Sequence, residues 1–238
     1  MFKTTILLQL LISLLVPIIV ILGAVQILAT GQYLNFEYGK VSFPADPYGL
    51  NRSQRLAFAS TTLRWVRQGQ PIEALAGQRL GDQPLYNQRE LKHMQDVQDV
   101  FLVTRRIWQL AVGLLVVIGF MSLWHGQNLL ELAKGFKIGG LLLAGLVTVI
   151  GLLAAITWQV WFVAFHQIFF TPGSWTFNTS DTLIRLFPER FWYDAALTLS
   201  GLSLTGGLGI ALMGRYAQLK HRYVHKSRSA RVVKPSKG

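Results

Sequence analysis

"TILLQLLISLLVPIIVILGAVQILA", Thr5 to Ala29, runs for 25 residues without a charge. Runs of about 18 or more apolar residues read as membrane spans. This one is too long for a signal-peptide core, and no small-residue pair before Ala29 marks a cleavage site, so it is expected to remain as a span. Three further runs have the same character: Ile107–Trp124, Ile138–Trp158 and Ala195–Met213. The composition agrees, being 51% apolar and only 14% charged over 238 residues, where a soluble domain carries about a quarter charged residues. The chain reads as an all-α membrane protein with four transmembrane helices. It contains no cysteine, which removes disulfides, thiolate nucleophiles and cysteine-ligated metals together.

The net charge of +12 invites a nucleic-acid reading, but +8 of it sits in "RYAQLKHRYVHKSRSARVVKPSKG", Arg215 to Gly238, which has no acid. A basic cluster just after a span marks the cytoplasmic side and meets anionic lipid. No nucleic-acid partner is expected. Four spans put both termini on one side, here the cytoplasmic one, and Lys134 and Lys137 in the link "HGQNLLELAKGFK" (His125–Lys137) agree. The segment Thr30–Arg106 then faces outward with ten Lys or Arg. Charge bias is read over loops shorter than about 60 residues, so this does not contradict the orientation. Arg105 and Arg106, at the outer mouth of the second span, do run against it. The expected division is 1–29 for the N-terminus and first span, 30–104 for an outer cap, 105–125 for the second span and 126–137 for the link. It continues with 138–159 for the third span, 160–194 for an aromatic-rich outer segment, 195–214 for the fourth span and 215–238 for the basic tail.

The cap is expected to be small and mainly helical. "NRSQRLAFASTTLRWVRQG" offers Asn51 or Ser53 as an N-cap, Leu56, Ser60, Leu63 and Val66 at helical spacing, and Gly69 as a stop. "FPADPYG" before it is turn chemistry. "LYNQRELKHMQDVQDVFLVTRR" lacks Gly and Pro, so a helix from about Asn87 runs straight into the second span. On it Glu90, His93, Asp96 and Val97 share a face.

Of the five histidines, His125, His221 and His225 lie at the cytoplasmic link and tail. His93 and His166 differ. One stands about ten residues, roughly 15 Å of helix, before the apolar core of the second span. The other stands about eight residues beyond the third, on the same outer side. The stretch Trp161–Tyr193 carries eleven of the chain's 28 aromatics, which reads equally as an interfacial belt or as a binding cavity. Neither HExxH, a GxSxG elbow, a Walker A loop nor a dinucleotide fingerprint after a strand is present. A zinc site would need a carboxylate from Glu90, Asp96 or Asp181 beside the two histidines, and that reading stays open. Metal-free acid/base chemistry by imidazoles, whose ordinary pKa is near 6.5, is the other.

Two blocks of the sequence resemble the signature of a bacterial four-span family, the lipoprotein intramolecular transacylases (Lit). The first is "LYNQRELKHMQDVQDV", with Tyr86, Arg89, Glu90, His93, Met94, Asp96 and Val97. The second is "FHQIFFTPGSWTFNTSDTLIRLFPERFW", with Phe165, His166, Phe169, Phe170, Trp175, Phe177, Asp181, Ile184, Phe187, Pro188 and Trp192. The resemblance covers the four spans in order, and Thr30–Gly81 matches loosely. It implies transfer of the sn-2 acyl chain of an S-diacylglyceryl lipoprotein to the α-amine of its own N-terminal cysteine, at the outer face of the bacterial cytoplasmic membrane. It implies His93 and His166 as catalytic residues, with no cofactor and no metal. Diacylated lipoproteins are then the substrate, membrane lipid the surroundings, and a monomer the expected state.

The residues allow that chemistry. His93 is expected to act on the amine, oriented by Glu90 or Asp96, and His166 on the glyceryl oxygen, although the reverse assignment stays open. Arg89 pairs with a carboxylate or stabilises the oxyanion. Tyr86, Phe165, Phe169, Phe170, Trp175, Phe177, Asp181, Phe187 and Trp192 are the candidate substrate contacts. Three other readings remain: a non-enzymatic envelope accessory protein, a small transporter, and a lipid acyltransferase or hydrolase with a different acceptor. The transporter reading is disfavoured because the span cores carry essentially only amides, hydroxyls and glycines where pathway charges would be expected.

Overall fold

The computed structural model describes residues 2–125 and 129–232. Parts of the link and tail (126–128 and 233–238), and the side chain of His225, lie outside the described residues. The all-α membrane reading holds. Four helices are long and apolar enough to cross a membrane: α1 (Phe2–Leu28), α5 (Gln88–Trp124), α6 (Leu129–Ile156) and α9 (Glu189–Val232). Between them lie α2 (Gly31–Gly39), α3 (Arg52–Gln68), α4 (Ile72–Ala76), a hairpin of β1 (Arg79–Leu80) with β2 (Gln83–Pro84), α7 (Trp158–Phe169) and α8 (Thr182–Leu186).

The 37 residues of α5 extend for about 55 Å, against a hydrocarbon core of about 30 Å. The charges at Arg89, Glu90, Lys92, Asp96, Asp99, Arg105 and Arg106 all precede Ile107. The membrane-spanning part of α5 is therefore its apolar second half, and His93 lies outside it.

The chain divides into two compact units. One comprises Met1–Ile21, Gln109–Thr148 and Leu202–Gly238. Its core is Ile12, Val16 and Leu132, with Leu115, Ile118, Phe136 and Ile210 packed against them. Most other apolar side chains here face outward, Leu110 at 74% and Met213 at 72% exposure among them, as suits a surface wetted by lipid. Helix contact here depends on small residues, which let backbones approach in the absence of a hydrophobic drive. A Cβ added at Gly139 would meet Ser13 and Val16, and one at Gly140 would meet Gly207 and Ala211. At Gly214 it would stand 2.6 Å from both the Ala133 carbonyl and the Lys137 nitrogen.

The second unit comprises Leu22–Trp108 and Val149–Gly201. Its core gathers Leu34, Tyr38, Trp65, Leu75, Leu91 and Leu186. Asn51 caps α3 in a reciprocal capping box with Gln54, and Gly69 ends it in the left-handed conformation at φ 63°, which glycine adopts without penalty. Arg55, buried in this core, donates to the carbonyls of Pro44 at 2.6 Å and Arg185 at 2.7 Å. Its guanidinium lies over the rings of Phe43 and Tyr38. Arg185 in turn grips the buried Asp46 carboxylate at 2.9 Å. These ties fix α8, which matters below. Arg105 donates to the Arg67 carbonyl at 2.6 Å, so its charge is spent on the end of α3.

The small-residue contact is directly testable. Gly→Ala inside a helix ordinarily stabilises by roughly 0.5–1 kcal/mol, whereas overpacking costs about 1–3 kcal/mol. Gly209→Ala, where nothing lies within 4 Å, is expected to keep or raise the thermal midpoint in detergent. Gly214→Ala is expected to lower it.

Candidate active site

The site is built on the first turns of α5. Asn87 and Glu90 form a reciprocal cap: the Asn87 N–H donates to Glu90 Oε2 at 2.8 Å, and the Glu90 N–H to Asn87 Oδ1 at 3.0 Å. The other Glu90 oxygen accepts from the Leu183 N–H at 2.7 Å. This buried carboxylate therefore fastens the start of α5 to α8. It makes no hydrogen bond to His93.

His93 follows one turn later, 8% exposed, and its Nδ1 is buried without a hydrogen-bond partner among the described residues. Its ring stacks near that of His166, with centroids 6.1 Å apart and planes 22° from parallel. His166 sits on α7, whose carbonyl at Phe162, one turn earlier, lies 2.7 Å from His166 Nδ1. A ring nitrogen that close to a carbonyl oxygen must carry the hydrogen, so His166 presents an unprotonated Nε2.

Rings enclose the pair. Phe170 meets both imidazoles, at 4.8 Å from His93 and 5.2 Å from His166. Phe177 stands edge-on to His93 at 5.3 Å. Phe162, Trp175 and Phe165 meet His166 at 4.1, 5.1 and 5.5 Å. Phe169 joins through Phe165 at 4.9 Å. Burial in this apolar wall pushes the His93 pKa from 6.5 down to about 4, helped by His166 and opposed by the Asp96 carboxylate. Burial also lowers the His166 pKa, and the bond to the Phe162 carbonyl works the other way. Both rings are neutral at pH 7.

The remaining sequence candidates divide. Arg89 pairs with Asp181 at 3.0 Å and lies over Phe177, 5.7 Å from its centroid, one ring away from His93. Asp181 also accepts from Asn87 at 3.2 Å and from the Asn178 N–H at 2.8 Å. Asp96 accepts from the Thr171 N–H and the Ser174 hydroxyl, both at 3.3 Å, and pairs with Lys92 at 3.4 Å. Tyr86 lies in the unit's core with its hydroxyl 2.6 Å from that of Thr62. Phe187 and Trp192 pair with Phe191 and make no ring contact with either histidine. Phe162 and Ser174 are the residues that sequence reasoning missed. Phe162 had a readable signal, since on a helix the carbonyl four residues before a histidine is within reach of Nδ1.

Among the described residues no three His, Asp or Glu side chains are grouped so as to hold a metal ion. An open cavity of about 350 Å³ in this unit is lined by Thr30, Gly31, Gln32, Ser60, Leu63, Arg64 and Arg67. Its lining includes neither histidine and no carboxylate. The two imidazoles are the titratable groups that the aromatic rings gather: one with a nitrogen bonded to a carbonyl, the other with a buried nitrogen lacking a partner among the described residues.

Comparison with known proteins bears on the family and the fold. Residues 10–192 match the family model described as lipoprotein intramolecular transacylase Lit. An uncharacterised protein of Aquifex aeolicus is 29% identical over 212 residues, which cover 87% of this chain and 93% of that protein. The fold is similar to the in meso structure of the membrane integral lipoprotein intramolecular transacylase Lit from Bacillus cereus. The TM-score is 0.68 at 19% identity, covering 94% of this chain and 100% of that one. A variant of the Bacillus cereus protein with a histidine changed to arginine gives 0.64 at 18% identity, covering 93% of this chain and 95% of that one.

The lowered His93 pKa has a consequence for stability. Above about pH 6.5 the ring is neutral in folded and unfolded chains alike. Between 6.5 and about 4 the unfolded chain takes up a proton that the folded site refuses, so stability falls as pH falls through that window. The thermal midpoint of the wild type is expected to drop there. That of His93→Phe should drop less steeply over the same interval.

Proposed function

The chain belongs to the lipoprotein intramolecular transacylase (Lit) family of acyltransferases, and we propose that it moves the sn-2 acyl chain of an S-diacylglyceryl lipoprotein to the α-amine of the same lipoprotein's N-terminal cysteine. The product is a lyso-form lipoprotein. A new N–C(acyl) bond forms, the bond between the acyl carbon and the sn-2 glyceryl oxygen breaks, and one proton passes from the amine to that glyceryl oxygen. Ester becomes amide, which runs downhill without an activated co-substrate.

The observation that carries this reading is the pair of imidazoles, 6.1 Å apart and near parallel, in an aromatic wall that favours their neutral forms. The amine must be neutral to attack, and a free α-amine has a pKa of about 7.7–8.0. His166, with Nε2 open and Nδ1–H held by Phe162, takes the amine proton as general base and returns it to the departing glyceryl oxygen. The bond to the Phe162 carbonyl steadies the imidazolium formed between those steps. His93 complements it. A buried N–H left unpaired is costlier than an unpaired acceptor, so the partnerless Nδ1 is the bare nitrogen and Nε2 carries the hydrogen. That N–H donates to the oxyanion and stays on the ring.

Attack closes an eight-membered ring through N, Cα, Cβ, S, two glyceryl carbons, oxygen and the acyl carbon. Such rings close poorly unless the chain is folded first, and fatty chains packed on the aromatic wall would supply that ordering as effective molarity. Phe165, Phe169, Phe170, Trp175 and Phe177 offer flat apolar faces for the acyl chains, while the ester lies at their edge. Arg89, with Asp181, borders the polar side. The enzyme works as a monomer among membrane lipids, with the site at the outer face of the bacterial cytoplasmic membrane and both termini inside. The basic residues Lys134, Lys137, Arg215, Lys220 and Arg222 support that orientation.

Expression in a bacterium lacking the activity, followed by mass spectrometry of a tagged lipoprotein's N-terminal peptide, tests the reading. Wild type should convert the S-diacylglyceryl peptide to an isomer of equal mass, with fragments showing an N-acylated cysteine and a monoacyl glycerol. In purified protein, His93→Ala and His166→Ala should each lower the rate by about 10²-fold or more. An unchanged lipoprotein with wild type would contradict the intramolecular reading and point to another acceptor.

A further inference from the structure

Three of the rings around the histidines come from one irregular segment, Phe170 to Phe177. Phe170 touches both imidazoles, Trp175 faces His166, and Phe177 faces His93. The segment contains neither helix nor strand. It turns at Pro172 and Gly173, the latter at φ 82°, a conformation that favours glycine. Apolar contact alone positions such rings loosely, so their placement needs a polar tie.

That tie is Asp96. Its Oδ2 accepts from the Thr171 N–H and from the Ser174 hydroxyl, both at 3.3 Å, while Oδ1 faces Lys92 at 3.4 Å. Ser174 is buried, and its hydroxyl is shared with the Thr171 carbonyl at 2.8 Å, which closes the turn on itself. The Thr171 side chain also hydrogen-bonds to Asp96, so the described hydrogen bonds between this segment and α5 all end on one carboxylate. Asp96 stands three residues after His93 on the same helix, yet the imidazole makes no hydrogen bond to it.

We infer that Asp96 is a positioning residue: it holds the 170–177 segment against α5 so that Phe170, Trp175 and Phe177 wall the two histidines. Its part in catalysis runs through those rings rather than through its charge on His93. The inference rests on the acyl-transfer reading for its kinetic consequence, and on geometry alone for its structural one.

The two roles separate because the donors from the segment are neutral groups, which an amide oxygen can also serve. Asparagine offers an amide oxygen in the same place and loses only the charge, and the mostly solvated Lys92 is free to swing away. The experiment is hydrogen exchange by mass spectrometry on the full-length protein in nanodiscs, without substrate. It is paired with transfer rates across pH on a synthetic diacylated lipopeptide.

Asp96→Ala should speed exchange in peptides covering 170–177, and should lower the rate by about 10²-fold, the penalty for a misplacement near 1 Å. Asp96→Asn should recover most of both losses and keep the pH profile of the wild type. Ser174→Ala, which removes one of these donors, should fall between Ala and wild type in exchange, and gives the answer should Asp96→Ala fail to fold. The inference is overturned if exchange over 170–177 is unchanged in Asp96→Ala and Ser174→Ala. It is also overturned if Asp96→Asn keeps the segment protected but is as slow as Asp96→Ala, because the charge would then be what matters. If the wild type transfers no acyl chain yet exchange follows Asp96 as expected, the anchor stands and the transacylase reading falls.

Discussion

The hydrogen bond from Nδ1 of His166 to the Phe162 carbonyl, 2.7 Å long, spans one turn of α7 and exists only because Trp158–Phe169 is helical. A carbonyl cannot donate, so the bond selects one tautomer of the ring. It leaves Nε2 bare and aimed away from its own helix. The aromatic wall does the rest, since a neutral ring packs against phenylalanine where an imidazolium would lose its hydration. Tautomer and charge state are thereby set by backbone geometry and burial together. The proposed chemistry needs both: a base that is unprotonated near neutral pH, and a second ring that donates without being charged.

The His93 side of the pair depends on fastenings at a greater distance. Glu90 commits both oxygens to backbone N–H groups, one on its own helix and one on α8. The position of α8 follows from Arg55 and the Arg185–Asp46 pair. Buried carboxylates of this sort rarely repay the cost of leaving water by charge alone. They hold because their remaining lone pairs are satisfied by backbone donors that have no other partner. The imidazole itself, left without such partners, is the exception. Strained or unsatisfied polar groups gather where a ligand completes them.

Much of this was legible in the sequence. Four apolar runs gave the four spans, and Asn51 and Gly69 gave the limits of α3. The unbroken stretch after Asn87 gave a helix entering the second span. The two histidines stood out because each lay a few turns outside a span on the same side. The rest depended on pairings that sequence does not carry. Glu90 meets Leu183 across 93 positions, and Asp96 meets Thr171 across 75, so each looked like a neighbour of His93 before the fold brought its true partners in. α7 was hidden because it follows the third span after the single residue Thr157, so its first turns read as the end of that apolar run. Tyr86 looked like a site residue beside Arg89 and Glu90. Two residues before the helix, its ring lies in the core with its hydroxyl on that of Thr62. The TM-score of 0.68 at 19% identity shows that the fold persists while most of the sequence changes.

The most direct test of the account is the protonation of the two rings, read from side-chain nitrogen chemical shifts of 15N-histidine-labelled protein between pH 6 and 8. Single substitutions assign the signals. The account predicts that His166 stays neutral with its hydrogen on Nδ1, and that His93 stays neutral with its hydrogen on Nε2, with no titration of His93 over that range. An imidazolium at either position at pH 7, or His166 carrying its hydrogen on Nε2, would contradict it.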